Sequence, residues 1–205
     1  MEHVVAALFE VPSEAYQAFT ELRTFPQNGD TRLAQAVLVK KENGVITVAD
    51  AFNPLAQASD DMLTGTLIGS VLGILGGPLG VLFGAGVGAW VGSVGGTDEA
   101  LAQGTLIEAV ATRMKNGDVG IITLAQEKSE APLDQFFGKF RTIVARWDAW
   151  RIQQEVVDAQ EVQADLQAKA RAELKAKRSQ ERKEKLEEFR QSIQQKFDEL
   201  KAKFK

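Results

Sequence analysis

The chain holds one histidine, His3, and no cysteine. Disulfides, thiolate nucleophiles and cysteine metal sites are therefore excluded, and any Ser-His-Asp arrangement would rest on His3 alone. His3 opens an apolar run and reads as a solvent-edge residue rather than a base. A metal site would have to be all carboxylate. Asp60-Asp61 and Asp98-Glu99 flank one uncharged segment. If that segment folds back on itself, four acids meet, a set that suits a hard cation such as calcium. Solvated acids at helix ends are the plainer reading, and no metal or other cofactor is expected. Gly84-Ala85-Gly86-Val87-Gly88 resembles a phosphate loop only superficially, since no Gly-Lys-Ser/Thr follows it. Trp147 and Trp150 flank Asp148 and read as anchors of a long helix against a sheet. These residues point away from catalysis, and the chain is expected not to be an enzyme.

The segment between the acid pairs is the most unusual part of the chain. From Met62 to Thr97 there is no charged residue, and glycine recurs at every fourth position. Gly65, Gly69, Gly73 and Gly77 form one run; Gly80, Gly84, Gly88, Gly92 and Gly96 form another, with Pro78 between them. Glycine inside a helix costs about 0.5–1 kcal/mol relative to alanine, so the spacing implies a compensating gain. Close approach of two helix backbones is such a gain. With Gly76-Gly77-Pro78 as the break, the spacing predicts two helices of about 16 residues, each roughly 25 Å long and slightly short of a hydrocarbon core. The glycines would line the contact face. Leu67, Ile68, Leu72, Leu75, Leu79, Leu82, Phe83, Val87 and Val91 would face outward, and Trp90 would sit at an interface. Insertion into a bilayer, a glycine-zipper contact between copies in water, and a buried hairpin of a monomer are the three readings, in that order. Acidic flanks argue for shallow or re-entrant insertion over simple spanning.

The elements around this segment are legible from pattern. His3–Glu10 reads as a strand, followed by a helix opened by Pro12 with Ser13 as cap; its apolar face is Ala15, Ala18, Phe19 and Leu22. Leu33–Lys40 and Val45–Ala51 read as strands joined by an Asn43-Gly44 hairpin turn. On the third strand Val45, Thr47 and Ala49 take one side and Ile46, Val48 and Asp50 the other. A helix opening at Thr97-Asp98-Glu99 would carry Leu101, Leu106, Ile107, Val110 and Met114 inward and close at Asn116-Gly117. Asp118–Ala125 is a fourth strand, Pro132–Phe140 a short helix, and Arg141–Trp147 an edge strand. The β-α-β-β-α-β order predicts an α+β fold, a ferredoxin-like sandwich over residues 1–149 that carries the glycine-zipper hairpin 62–97 as an insertion. Residues 150–205 form a second region, a long C-terminal helix.

The tail differs from the body in charge. Residues 1–150 hold 10 basic and 17 acidic side chains, a net of −7, and residues 151–205 hold 14 and 11, a net of +3. That asymmetry is too weak for nucleic acid, and aromatics do not interleave with a basic stripe. Leu186, Phe189, Ile193, Phe197, Leu200 and Phe204 share one helical face, with Lys196, Lys201, Lys203 and Lys205 near it. A partner helix is the expected occupant of that face, and a membrane surface the second. The N-terminus lacks a basic n-region and does not read as a secretory signal.

With GTLIGSVLG, GVLFGAGVGAWVG and ARWDAWR in this order, nearly the whole chain resembles a widespread group of uncharacterised prokaryotic proteins described as membrane-associated and stress-linked. The resemblance implies a ferredoxin-like unit with a glycine-rich hairpin and a membrane location. It carries no activity and no catalytic residues. Together these readings predict a cytoplasmic, non-enzymatic protein, peripheral or hairpin-inserted at a lipid bilayer, that assembles into a homo-oligomer such as a ring or filament. A soluble homo-oligomer whose hairpins form an internal apolar core, and a ligand-sensing α/β domain, are the alternatives.

Overall fold

In a computed structural model the protein is described over residues 1–27, 30–54, 66–84 and 105–203. Its elements in chain order are β1 (Glu2–Phe9), α1 (Pro12–Leu22), β2 (Thr31–Glu42), β3 (Val45–Phe52), α2 (Leu67–Leu75), α3 (Pro78–Gly84), α4 (Leu106–Arg113), β4 (Val119–Glu127), α5 (Ala131–Phe137), β5 (Thr142–Asp148) and α6 (Ala149–Lys203). Two compact units divide the chain, Met1–Gln163 and Ala164–Lys205. The class is α+β, with one five-stranded antiparallel sheet and one long helix.

The strands run in the order β3-β2-β4-β1-β5, every neighbouring pair antiparallel. β4 thus lies between β1 and β2, and β1 between β4 and β5. Each of the crossovers β1-α1-β2 and β4-α5-β5 skips one strand. Such crossovers are right-handed, and because β1 and β4 run oppositely, both helices land on the same face. There Val5, Ala7, Phe9, Leu33, Ala36, Leu38, Ile121 and Ala125 meet Ala15, Ala18, Phe19 and Leu22 of α1 and Leu133, Phe136 and Phe137 of α5. Phe9 and Phe137 pack edge to face at 6.4 Å. As read from sequence, β5 is an edge strand.

Local chemistry explains most element ends. Asn43 (φ 52°) and Gly44 (φ 80°) turn the β2–β3 hairpin with two left-handed residues, the pairing that matches strand twist. α1 starts differently from expectation. Its N-cap is Val11, which makes no side-chain cap, and Pro12 occupies the first turn. Proline needs no N–H there, so Ser13 is not the cap. β3 also departs from strict alternation. Its register slips between Leu38 and Val39, so that Leu38 pairs with Asp50 and Val39 with Val48. Ala49 is skipped, and the residues after it change face. Asp50 then shares a face with Leu38 and binds Arg23 at 2.8 Å, while Phe52 joins the α1 core.

The opposite face of the sheet is covered as well, by Ile68, Leu72, Leu75 and Leu79 of the set expected to face outward from the hairpin; Val87 and Val91 of that set lie outside the described residues. Ile68, Val71, Leu72, Ile74, Leu75 and Leu79 are buried. α2 touches β3 and β4, α3 touches β3, and α4 touches β1. The strands present Val4, Ala6, Val37, Val39 and Ile122 to that side, all buried. A sheet with apolar residues on both faces needs two covers, and α2 supplies part of the second. Burying the five α2 side chains contributes roughly 10 kcal/mol as an upper figure. The first helix is also nine residues long rather than about sixteen. Leu106, Ile107, Val110 and Met114 face inward as expected. The α4 helix itself begins at Leu106, capped by Thr105; Thr97, Asp98, Glu99 and Leu101 lie outside the described residues.

Candidate functional site

The glycine segment is built around its break. Thr66 caps α2, its hydroxyl accepting from the Gly69 N–H at 3.0 Å. Gly76 and Gly77 end the helix, and Pro78 starts α3, as the sequence suggests. The glycines have different jobs. A Cβ at Gly80 would collide with the Leu75 carbonyl, so the tight return of α3 onto α2 requires glycine there. One at Gly77 would collide with the Gln163 amide. Gly73 is exposed on the side of α2 opposite the buried row, and among the described residues no atom lies within 4 Å of a Cβ built on it. Gly69 is half-buried and Gly84 closes α3. Gly65, Gly88, Trp90, Gly92 and Gly96 lie outside the described residues, as do Asp60-Asp61. Among the described residues no helix is long and apolar enough to cross a membrane.

α4 is held at both ends by charged side chains from elsewhere in the chain. Glu155 of α6 reaches its N-terminus, accepting from Leu106 N at 2.9 Å and Ile107 N at 2.7 Å. Burial pushes the Glu155 carboxyl above the usual carboxylate range, while the backbone N–H bonds work in the opposite direction. At the other end Lys41 of β2 is buried and donates to the carbonyls of Ala111 at 2.8 Å and Met114 at 2.9 Å. Burial lowers the Lys41 ammonium below its ordinary value. An anion at the positive end of a helix and a cation at the negative end both favour it.

A second charged cluster occupies the α1/α5 face where β1, β4 and β5 meet. His3 pairs in register with Ala125 and Asp148, and Arg146 with Val5, so these side chains share the face of Glu127. His3 Nδ1 lies 2.9 Å from Glu127 Oε2, and Nε2 lies 3.6 Å from Asp148 Oδ1. Arg146 binds Glu127 at 3.3 Å and Asp134 at 2.6 Å. The Glu127 side chain is fully buried and His3 only 12% exposed, which corrects the solvent-edge reading of His3. An ionised carboxylate only accepts, so Nδ1 carries the proton. The other ring nitrogen, Nε2, faces Asp148 beyond hydrogen-bond distance. The arrangement closes one corner of the sheet. Beside it a cleft of 560 Å³ is lined by acids and bases together, among them Glu2, Asp30, Arg32 and Lys128. Such mixed charge selects no single class of ion. Sequence reasoning missed Glu127 and Arg146; the only signal was their parity with core-facing neighbours.

Trp147 is buried, whereas Trp150 is 64% exposed, so among the described residues only Trp147 is buried at the start of α6. Ile152, Val156 and Ala159 continue the buried side. Leu186, Phe189, Ile193, Phe197 and Leu200 fall on the stretch of α6 described by its backbone, and Phe204 lies outside the described residues. No family model, curated protein or solved structure matches this chain.

Proposed function

We propose that this is a non-enzymatic protein that works by self-association, copies meeting through the small-residue side of α2. Gly73 carries the reading. It is a helix-interior glycine on an exposed side, with no neighbour among the described residues that would exclude a larger side chain. Among the described residues the glycine therefore costs about 0.5–1 kcal/mol relative to alanine with no packing gain to offset it. Backbone approach by a second copy supplies the missing gain, and Gly69 and Ser70 extend the same small side.

Contact between proteins is favoured over bilayer insertion of this hairpin. Nine residues of α2 reach only about 13 Å against a hydrocarbon core of about 30 Å. Inserting α2 would also bare the apolar sheet face it covers. A peripheral location fits this better than a spanning one. The resemblance to glycine-zipper proteins belongs to the same proposal, and so does a ferredoxin-like description of the body. The latter is supported by the two interleaved crossovers, with β3 as an added edge strand.

The test is particle mass by light scattering on the full chain without detergent. Wild type should run well above one chain of 22.3 kDa, and Gly73→Leu should fall toward it with unchanged helix content. A wild-type monomer, or an unaltered particle in Gly73→Leu, would contradict the proposal.

A further inference from the structure

α6 continues without interruption through Lys203, so its last stretch can be laid out at about 100° per residue. Over residues 183–203, Leu186, Phe189, Ile193, Phe197 and Leu200 fall within an arc of about 80°. The charges on the remaining circumference are sorted. All six basic residues border the apolar arc, Lys183, Arg190 and Lys201 on one side and Lys185, Lys196 and Lys203 on the other, each within about 40° of its edge. All five acids, Glu184, Glu187, Glu188, Asp198 and Glu199, are at least about 80° away from it.

This sorting decides the occupant. A second copy of the same helix would bring basic borders against basic borders, in either orientation, where coiled coils place complementary charges. An anionic lipid surface reverses the sign of that interaction. The apolar arc enters the acyl boundary, the flanking Lys and Arg reach the headgroups along their own stems, and the acids stay in water. We infer that residues 183–203 form an in-plane helix for an anionic lipid surface, about 30 Å long. The inference goes beyond the glycine-mediated contact and does not depend on it.

Flotation of the full chain tests it, using phosphatidylglycerol–phosphatidylcholine vesicles and pure phosphatidylcholine vesicles. Wild type should float with the anionic vesicles and lose most of that binding on pure phosphatidylcholine or at high salt. Phe189→Glu with Phe197→Glu, and separately Lys185→Gln with Lys196→Gln and Lys201→Gln, should each weaken binding by about tenfold or more. Glu188→Gln with Glu199→Gln should bind as well as wild type or better. Gly73→Leu should float like wild type, so a failure of the glycine contact leaves this result intact. Absence of wild-type binding to anionic vesicles would overturn the inference. Equal binding by the Phe variant would do the same, as would a change in particle mass of that variant without vesicles, which would assign the face to a protein partner.

Discussion

Among the described residues, Glu155 couples its charge state to the fold through burial. Its carboxyl is raised by burial, so the folded chain binds more protons than the unfolded chain above the ordinary carboxylate value of about 4.3. Its contribution is complete below that value and is lost as pH rises through the raised folded value. This opposes ordinary acid destabilisation. Glu155→Gln removes the titration while keeping one amide oxygen for the α4 N-terminus. In urea melts its stability relative to wild type should improve steadily from pH 4 to pH 7; a constant difference would show that Glu155 does not titrate with folding. Glu155→Ala should cost about 1–2 kcal/mol, as helix caps do. Glu127 predicts a larger loss. Its side chain is fully buried against His3 and Arg146, and removal takes the carboxylate from both and leaves a void in the sheet corner, with Asp134 as the remaining partner of Arg146. Glu127→Ala should destabilise by about 3 kcal/mol, read from the denaturation midpoint; a loss below about 0.5 kcal/mol, typical of surface changes, would contradict this account of the cluster.

At the level of elements, what could be read from sequence followed how local its chemistry was. The Asn43-Gly44 turn and the break at Gly76-Gly77-Pro78 depend on the residues at those positions, and both are where the pattern puts them. The inward row of α4 follows from helical spacing. The buried side of α2 could not be read that way, because Leu67–Leu75 is apolar or small at every position. With no polar side to contrast, the partner sheet chooses the face, and that partner comes from β3 and β4. The His3 cluster was hidden for a related reason. His3 and Glu127 are 124 residues apart, and only the strand register brings them together. Close packing of the hairpin yields its own prediction. Gly80→Ala should destabilise by about 1–3 kcal/mol because its methyl meets the rigid Leu75 backbone. Gly73→Ala should instead leave the isolated subunit as stable or stabilise it by about 0.5–1 kcal/mol. Thermal melts of the two variants should move in opposite directions or at least differ clearly; equal losses would remove the distinction between the two glycines.

For the molecule as a whole, the described glycine segment does two things that its sequence presents as one. Its branched residues help cover the second face of the sheet, and its small side is the one that the proposed contact would use. Under that proposal assembly and folding are separable, which a spanning hairpin would not allow. The chain contains no cysteine, so a single introduced thiol reports contact between copies without interference. The most direct measurement is disulfide trapping of the full-length Gly73→Cys variant under mild oxidation, compared with Glu21→Cys on the opposite side of the sheet. A two-fold contact through α2 brings the two Cα atoms within the roughly 7 Å a disulfide permits. The account predicts rapid covalent dimer from Gly73→Cys and little from Glu21→Cys. Equal, slow crosslinking of both, from particles with the mass of one chain, would contradict it.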